Sequence, residues 1–376
     1  MGISPSSLRP PWSSRRAATK AAPPAATEGG GGTPVRLPLP HDVVFDILSW
    51  VPVKSACRFK SVCREWRALI NDPAFVAAHK ARAEPLLAIA ADSCDEPSTL
   101  RLIDMDGHII KVIKNSLPIL RLVCSSPGNL MCVIGYALGI ARVLNLATGE
   151  AAVIDLTSNF MGFGRAAPSG AYKIVCVSPG STEILTVGDG VCWRQAQPLP
   201  SSSISYNSRP VVVRGVMYLI LVSQLNGDSV ICFDLESEEW KGGIRGPPSS
   251  ERQRCDASLQ ELNGALCMLL PEVGNIYHGT MSIWLLIDSR KGVWIKVYSI
   301  PMDPSAYSLI TPLRILGDNG KLLFHVTLSF DEFAVLQIYD PRHRTFTDAP
   351  KVLAGDNGGS ISLCSLHLDS FLPANV

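Results

Sequence analysis

The stretch VVVRGVMYLILVSQLNGDSVICFDLESEEWKGG, residues 211–243, decides the fold of this chain. It contains two apolar segments joined by Arg214-Gly215, a variable loop, a third segment that ends in Asp234, and a short turn before Trp240. Short apolar runs bounded by turn residues are typical of β-strands. An Asp that opens a turn can accept hydrogen bonds from backbone amides, and Gly supplies positive φ. The stretch therefore predicts a unit of consecutive, turn-linked strands.

The same pattern recurs along the chain. The pattern is clear in residues 259–297 and 313–346, and it is less regular in residues 130–154 and 172–195. The residues that open the last turn of each copy lie 41, 44, 45, 54 and 52 residues apart; they are Asp104, Asn145, Asp189, Asp234, Asp288 and Asp340. This is the spacing of four-stranded propeller blades. The chain is therefore predicted to be mostly β, with six blades, and seven as the alternative.

The two ends of the repeat region are incomplete. The first copy, PLLAIAAD followed by TLRLIDMDGHIIKVIK, has three strands, and the last apolar alternation, ISLCSLHL at 361–368, has no blade of its own. An open ring would leave strand edges unpaired. We therefore expect residues 361–368 to supply the missing strand and to pair near residues 87–90. Trp193, Trp240 and Trp294 follow their turns, and we interpret them as packing between blades.

A helical segment, LPLPHDVVFDILSWVPVKSACRFKSVCREWRALINDP, residues 37–73, precedes the repeats. Its first and third parts carry apolar residues at helical spacing. Those residues are Val43, Val44, Ile47, Leu48 and Val51, then Val62, Trp66, Leu69 and Ile70. Pro52 ends the first helix and Asp72-Pro73 ends the third. About 35 residues cannot bury a core of their own. The segment is therefore either a helical cap on the β-domain or a docking motif.

These residues resemble an F-box over its whole length. The matching features are Leu37-Pro38, Ile47-Leu48, Pro52, Lys54-Ser55, Arg58-Phe59, Val62-Cys63, Trp66, and Leu69-Ile70 with Asp72-Pro73 and Phe75. Ala56 and Cys57 depart from it, because the family usually has two leucines there, and so do Trp50 and Val51. The resemblance implies a small three-helix module that binds a Skp-type adaptor of cullin–RING ubiquitin ligases. It implies adaptor contacts at Leu37, Pro38, Ile47, Leu48, Phe59, Val62, Cys63 and Trp66.

Most of residues 86–350 is similar to the kelch-like F-box-associated repeats of plant F-box proteins, as in GVMYLIL, FDLESEEW and GDGVCWR. The expected organisation is a disordered low-complexity tail at 1–36, an F-box at 37–82 and a propeller at 86–376 that a C-terminal strand closes. The resemblance implies a substrate-recognition subunit of a Skp–cullin–F-box ligase, whose propeller binds an unknown target protein. The alternative is a propeller interaction protein that binds the adaptor outside a ligase.

Loop lengths suggest where a target would bind. Turns between first and second and between third and fourth strands look short, whereas other connections look long: residues 158–171, 200–210, 245–255 and 271–280. Long loops on a rigid scaffold often carry recognition. The long-loop face is therefore the predicted target-binding surface, and tolerated insertions are the alternative. The candidate contacts, suited to an acidic or phosphorylated segment, are Arg165, Tyr206, Arg252, Arg254, Tyr277 and His278.

Composition and motifs argue against other functions. The formal net charge of +1 gives no bias toward nucleic acid or membrane, and no apolar stretch approaches a membrane span. The 11 cysteines form no C-x-x-C pair and the seven histidines are scattered, so no metal site is expected. GFGRAA at 162–167 is interpreted as a loop, because Pro168 and Gly170 follow where a helix would be needed. We expect a non-catalytic protein without cofactors, cytoplasmic or nuclear. A transit peptide and N-terminal myristoylation are the alternatives to a disordered tail.

Overall fold

The computed structural model of the chain describes the helical region and most of the strands with their turns. The described residues are 39–51, 53–82, 86–92, 99–104, 108–114, 121–124, 130–135, 139–146, 149–158, 161–188, 190, 192–200, 204–205, 209–221, 228–248, 257–273, 279–302, 307–316, 319–328, 334–348 and 360–367. The chain divides into two compact units, residues 1–44 and residues 45–376. In the first unit, the Val44 amide donates to the Pro40 carbonyl at 3.1 Å, and Leu39 and Val43 are exposed.

Among the residues described before the strands, four helices occur. They are α1 (His41–Ser49), α2 (Val53–Phe59), α3 (Arg64–Asn71) and α4 (Pro73–Arg82). The sequence predicts the first three helices and does not indicate α4. Asp72-Pro73 ends α3 as expected, but proline is also favourable at the first position of a helix. The Asp72 carboxylate accepts from the Ala74 amide at 2.7 Å, so this pair also starts α4. None of the described helices is long and apolar enough to cross a membrane.

The described strands form six antiparallel sheets, each of which is a propeller blade. Blade 1 has β1 (Leu86–Asp92), β2 (Thr99–Ile103), β3 (Ile109–Lys114) and β25 (Ser360–His367); blade 2 has β4 (Arg121–Cys124), β5 (Leu130–Gly135), β6 (Ile140–Asn145) and β7 (Ala151–Asp155). Blade 3 has β8 (Met161–Arg165), β9 (Tyr172–Ser178), β10 (Ser181–Thr186) and β11 (Arg194–Ala196).

The remaining three blades follow in chain order. Blade 4 has β12 (Val211–Val213), β13 (Val216–Ile220), β14 (Asp228–Asp234), β15 (Glu239–Trp240) and β16 (Ile244–Arg245). Blade 5 has β17 (Ser258–Leu262), β18 (Ala265–Val273), β19 (Gly279–Asp288) and β20 (Val293–Met302). Blade 6 has β21 (Tyr307–Leu316), β22 (Lys321–Leu328), β23 (Ala334–Asp340) and β24 (Thr345–Asp348). The prediction of a mostly β, six-bladed propeller is confirmed.

The last strand belongs to the first blade. β25 runs antiparallel to β1, with Leu366 opposite Leu87 and Cys364 opposite Ile89. This is the pairing that the sequence predicts for residues 361–368. It pairs an edge of β1 that would otherwise be open, and it joins residues near both ends of the chain.

The turns that open with Asp234, Asp288 and Asp340 have the predicted hydrogen bonds. The Asp234 carboxylate accepts from the amides of Glu236 at 2.8 Å and Ser237 at 3.3 Å, and Asp288 and Asp340 repeat the pattern in blades 5 and 6. The residue four places after the turn-opener has positive φ in four blades: Gly149, Glu238, Gly292 and Arg344. The shared turn conformation explains why the repeat survives at these positions while the loops vary.

Buried apolar residues fill the spaces between neighbouring blades. One cluster joins Val175 and Ile184 of blade 3 to Phe233 and Trp240 of blade 4. The indole N–H of Trp240 also donates to the Gln197 carbonyl, beyond the end of blade 3, at 3.0 Å. Trp193 donates in the same way to the Asp155 carbonyl of blade 2 at 3.2 Å. The prediction that these tryptophans pack between blades is confirmed.

One predicted loop is wrong. Residues 161–165, inside the predicted long loop 158–171, form the strand β8, and GFGR is not a loop. The glycines that suggested a loop serve close packing. A Cβ at Gly164 would lie 2.3 Å from Val212 Cγ1, and one at Gly162 would lie 2.4 Å from Met217 Sδ. Glycine in a strand allows the neighbouring blade to approach at this distance.

Candidate functional site

In the second unit, three large apolar side chains of the described helical region are exposed to solvent. Ile47 of α1 is 52% exposed, Trp50 just after α1 is 68% exposed, and Val62 between α2 and α3 is 59% exposed. Ile47 and Trp50 are three residues apart, and the Trp50 amide donates to the Ile47 carbonyl at 3.2 Å. Large apolar side chains that stay in water on a short helical module are typical of a protein-docking surface. These three residues are called the apolar docking set below.

The helices beneath the apolar docking set are held together by ring contacts. Phe59 and Trp66 meet edge to face with centroids 5.5 Å apart, and Phe45 meets the fully buried Phe75 at 5.4 Å. Such pairs stabilise beyond their buried area. The ring of His79 lies 5.9 Å from Phe75 and its Nε2 donates to the Val51 carbonyl at 2.8 Å. These contacts fix α4 to the end of α1.

The start of α3 is capped by Cys63. Its Sγ accepts from the Trp66 amide at 3.3 Å, in the position that serine or threonine usually fills. Arg67 Nε donates to the Lys60 carbonyl at 3.0 Å across the α2–α3 connection. Hydrogen bonds from its own amide and from Cys63 lower the pKa of Glu65 in this first turn. The segment that presents Val62 is thus held by polar contacts on both sides.

The predicted adaptor-contact residues that the structure describes are in part exposed, in part half-buried and in part buried. Ile47 and Val62 are exposed, whereas Phe59, Cys63 and Trp66 are half-buried. Leu48 is 1% exposed and supports the surface from inside. Leu37 and Pro38 lie outside the described residues. Trp50 is exposed but missing from the predicted contacts, and its position three residues after Ile47 is the signal that could have found it.

The predicted target contacts are placed only in part. Tyr206, Arg252, Arg254, Tyr277 and His278 lie outside the described residues. Arg165 is exposed at the end of β8, where the connection to β9 joins the first two strands of blade 3. It therefore belongs with the short turns rather than with the long loops, which corrects the predicted placement. Its Nε donates to the Gly170 carbonyl at 3.0 Å.

Polar contacts bind blade 3 to blade 4 beside that connection. Lys173 lies 2.9 Å from the Glu238 carboxylate, which also accepts from Arg194 at 2.5 Å. Partial burial alone would raise the pKa of Glu238, but Lys173 and Arg194 lower it. Ser169 Oγ donates to the Glu236 carboxylate at 2.6 Å. The acidic turn of blade 4 is thus neutralised within the fold.

The described residues offer no metal centre. No group of three or more His, Cys, Asp or Glu side chains among them is arranged to hold an ion. His325, in β22, is 4% exposed, and burial lowers its pKa to about 4. Its surroundings make it a neutral core residue.

Comparison with known proteins assigns both regions. Residues 37–77 match the family model "F-box domain", and residues 111–350 match "F-box associated beta propeller domain". The F-box protein At3g57590 of Arabidopsis thaliana is 28% identical over 361 residues, covering 87% of this chain and 88% of the relative. The F-box/kelch-repeat protein At2g43445 of the same plant is 26% identical over 333 residues, covering 78% of each chain.

Proposed function

This chain belongs to the F-box-associated β-propeller family, and from that premise we propose that it is the substrate-recognition subunit of a Skp–cullin–F-box ubiquitin ligase. The observation that carries the proposal is the apolar docking set, Ile47, Trp50 and Val62, exposed on a packed helical framework. A Skp-type adaptor would cover these side chains. The propeller would hold the target protein.

The chemistry of such a receptor is proximity. A bound target is brought close to the ubiquitin-carrying subunits, so that an encounter in dilute solution becomes one at high effective concentration. Such a receptor needs two binding surfaces and a stiff scaffold that carries them. Blade-to-blade hydrogen bonds such as that of Trp240 supply stiffness within the propeller. Transfer of ubiquitin itself would take place on other subunits.

Co-purification with the adaptor tests this proposal. The variant Ile47→Ser/Val62→Ser removes two exposed apolar side chains without emptying the core. A few such residues commonly contribute about 2 kcal/mol each to an interface, so adaptor affinity should fall by roughly a hundredfold or more. The matched control is Val153→Ser/Ile295→Ser, which removes similarly exposed side chains, 51% and 50%, from outer strands of the propeller.

The result divides into clear outcomes. Adaptor, cullin and RING subunits recovered with wild type and the control, but lost from Ile47→Ser/Val62→Ser, support the proposal. Equal recovery with both variants contradicts the docking surface. Adaptor recovered without cullin contradicts the ligase and favours an adaptor-bound interaction protein.

A further inference from the structure

Five exposed basic side chains, here called the basic rim, lie on the last three blades. They are Arg245 at the end of β16, Arg290 and Lys291 in the β19–β20 turn, and Arg342 and Arg344 in the β23–β24 turn. Within the part of the chain that the structure describes, none of the five forms an ion pair. Unpaired cations of one sign create a local positive potential on a chain whose net charge is only +1.

Arg245 belongs with the turn of the next blade. Its carbonyl oxygen would lie 3.2 Å from a Cβ at Gly292, and its own Cβ would lie 3.4 Å from that position. The Trp294 indole N–H donates to the same carbonyl at 2.8 Å. The end of blade 4 is therefore held against the turn that carries Arg290 and Lys291, and three cations share one neighbourhood.

The carboxylates of these turns are already engaged. Asp288 accepts from the amides of Arg290 at 2.9 Å and Lys291 at 3.1 Å. Asp340 accepts from the Arg342 amide at 2.9 Å and pairs with Lys321 at 3.4 Å. Asp340 also pairs with the His343 ring at 3.3 Å. Among the described residues, neither acid forms an ion pair with an arginine or lysine side chain of its own turn. The acids are thus part of the turn structure, and the cations are free for another molecule.

Blades 3 and 4 show the opposite arrangement. There Lys173 and Arg194 pair with Glu238, and Lys241 pairs with Glu239 at 3.0 Å. Charge is balanced inside the fold on that part of the molecule. The same turn type is therefore neutralised in blade 4 and left basic in blades 5 and 6.

The two basic turns sit on blades that are tied together. Asn263 of blade 5 exchanges hydrogen bonds with Ile315 of blade 6, at 2.9 and 3.2 Å, and Tyr298 Oη donates to the Gly320 carbonyl at 3.0 Å. A surface held in this way loses little freedom when it binds. Because guanidinium groups hold carboxylates in two-point geometry, the surface suits oxygen-rich anions.

We propose that the basic rim binds a short acidic segment, rich in Asp and Glu, of the target protein. The inference rests on the proposed function, since it names the propeller surface that a target would contact. That surface contains the turns between third and fourth strands, so it is the short-turn face and not the long-loop face that the sequence predicts. A peptide is favoured over nucleic acid because the described part of the rim has no exposed Phe, Tyr or Trp side chain on which bases could stack.

A labelled oligo-glutamate peptide of about ten residues is the probe, measured by fluorescence anisotropy on the full chain at low salt. The variant Arg290→Ser/Arg342→Ser should weaken binding by about tenfold, because two charge contacts near the surface are lost. Arg290→Lys/Arg342→Lys should keep most of the affinity. The matched control Arg64→Ser/Arg209→Ser removes two other exposed arginines and should bind as wild type does.

Four results would overturn the proposal. The first three are equal binding by Arg290→Ser/Arg342→Ser and wild type, equal weakening in the control, and tighter binding of a single-stranded oligonucleotide than of the peptide. An oligo-glutamine peptide that binds as well as oligo-glutamate would also contradict it. The adaptor experiment is independent, because it reads the apolar docking set. Loss of adaptor binding with intact peptide binding would therefore contradict the proposed ligase role but not the proposed role of the basic rim.

Discussion

The indole N–H of Trp294, on the outer strand of blade 5, donates to the backbone carbonyl of Arg245, on the outer strand of blade 4, at 2.8 Å. Trp240 and Trp193 make the corresponding bond to residues at the outer end of the blade before them. A tryptophan at a repeated position thus donates a hydrogen bond to a backbone carbonyl of the preceding blade. These three bonds link blades 2, 3, 4 and 5, each to the next, and satisfy backbone carbonyls at their outer ends.

Replacing Trp294 with Phe should lower the free energy of unfolding by about 1 to 3 kcal/mol, because the Arg245 carbonyl loses its donor and some packing is lost. The matched control is Trp284→Phe. The Trp284 indole nitrogen is buried and has no hydrogen-bond partner among the described residues, so its removal breaks no such bond there. Urea unfolding followed by far-UV circular dichroism measures both. Equal losses in the two variants would show that the indole hydrogen bond contributes nothing.

Gly164→Ala should destabilise the propeller by about 1 to 3 kcal/mol. The new Cβ would lie 2.3 Å from Val212 Cγ1 and 2.9 Å from Val212 Cβ, and a β-branched neighbour cannot turn away easily. Gly242→Ala is the control, since nothing lies within 4 Å of a Cβ there and its φ is not positive. Thermal unfolding of the two variants provides the measurement. A Gly164→Ala midpoint equal to that of the control would contradict the close approach of blades 3 and 4.

Acid should destabilise the fold through His325. Burial lowers the pKa of this histidine from 6.5 to about 4, so between these values the unfolded chain binds a proton that the folded chain does not. Its contribution is complete above pH 6.5 and is lost as the pH falls toward 4. It amounts to about 3 kcal/mol in total. His325→Leu should flatten this part of the stability profile, measured by urea unfolding between pH 7.5 and 5. An unchanged slope would exclude His325 as its source.

Removing residues 360–376 should give a protein that aggregates, because the whole edge of β1 loses its partner β25. A shorter deletion, of residues 369–376, retains β25 and is the control. Light scattering and size-exclusion chromatography separate the outcomes. A monomeric, cooperatively folding product of the longer deletion would show that the first blade is stable without its C-terminal strand.

The repeat was predictable because its signal is local. The carboxylates of Asp234, Asp288 and Asp340 accept hydrogen bonds from backbone amides two and three residues ahead. The turn therefore depends on only a few adjacent residues. The prediction of a loop at residues 158–171 was wrong for the opposite reason. Gly162 and Gly164 suggest a loop by composition, but the need for glycine comes from Met217 and Val212, about fifty residues away.

The sequence by itself determined the strand repeat, the closing strand and the helical module, because turn chemistry and apolar spacing act between near neighbours or repeat in register. It left six or seven blades open, and the structure has six sheets in the described residues. The tertiary structure decided what each surface can bind. Ile47 and Leu48 are adjacent and equally apolar, yet one is 52% exposed and the other 1%. Arg194 is neutralised by Glu238, 44 residues away, whereas Arg290 has no such acid among the described residues. Exposure and charge pairing depend on which residues, distant in sequence, come into contact. Only the packing of the blades determines those contacts.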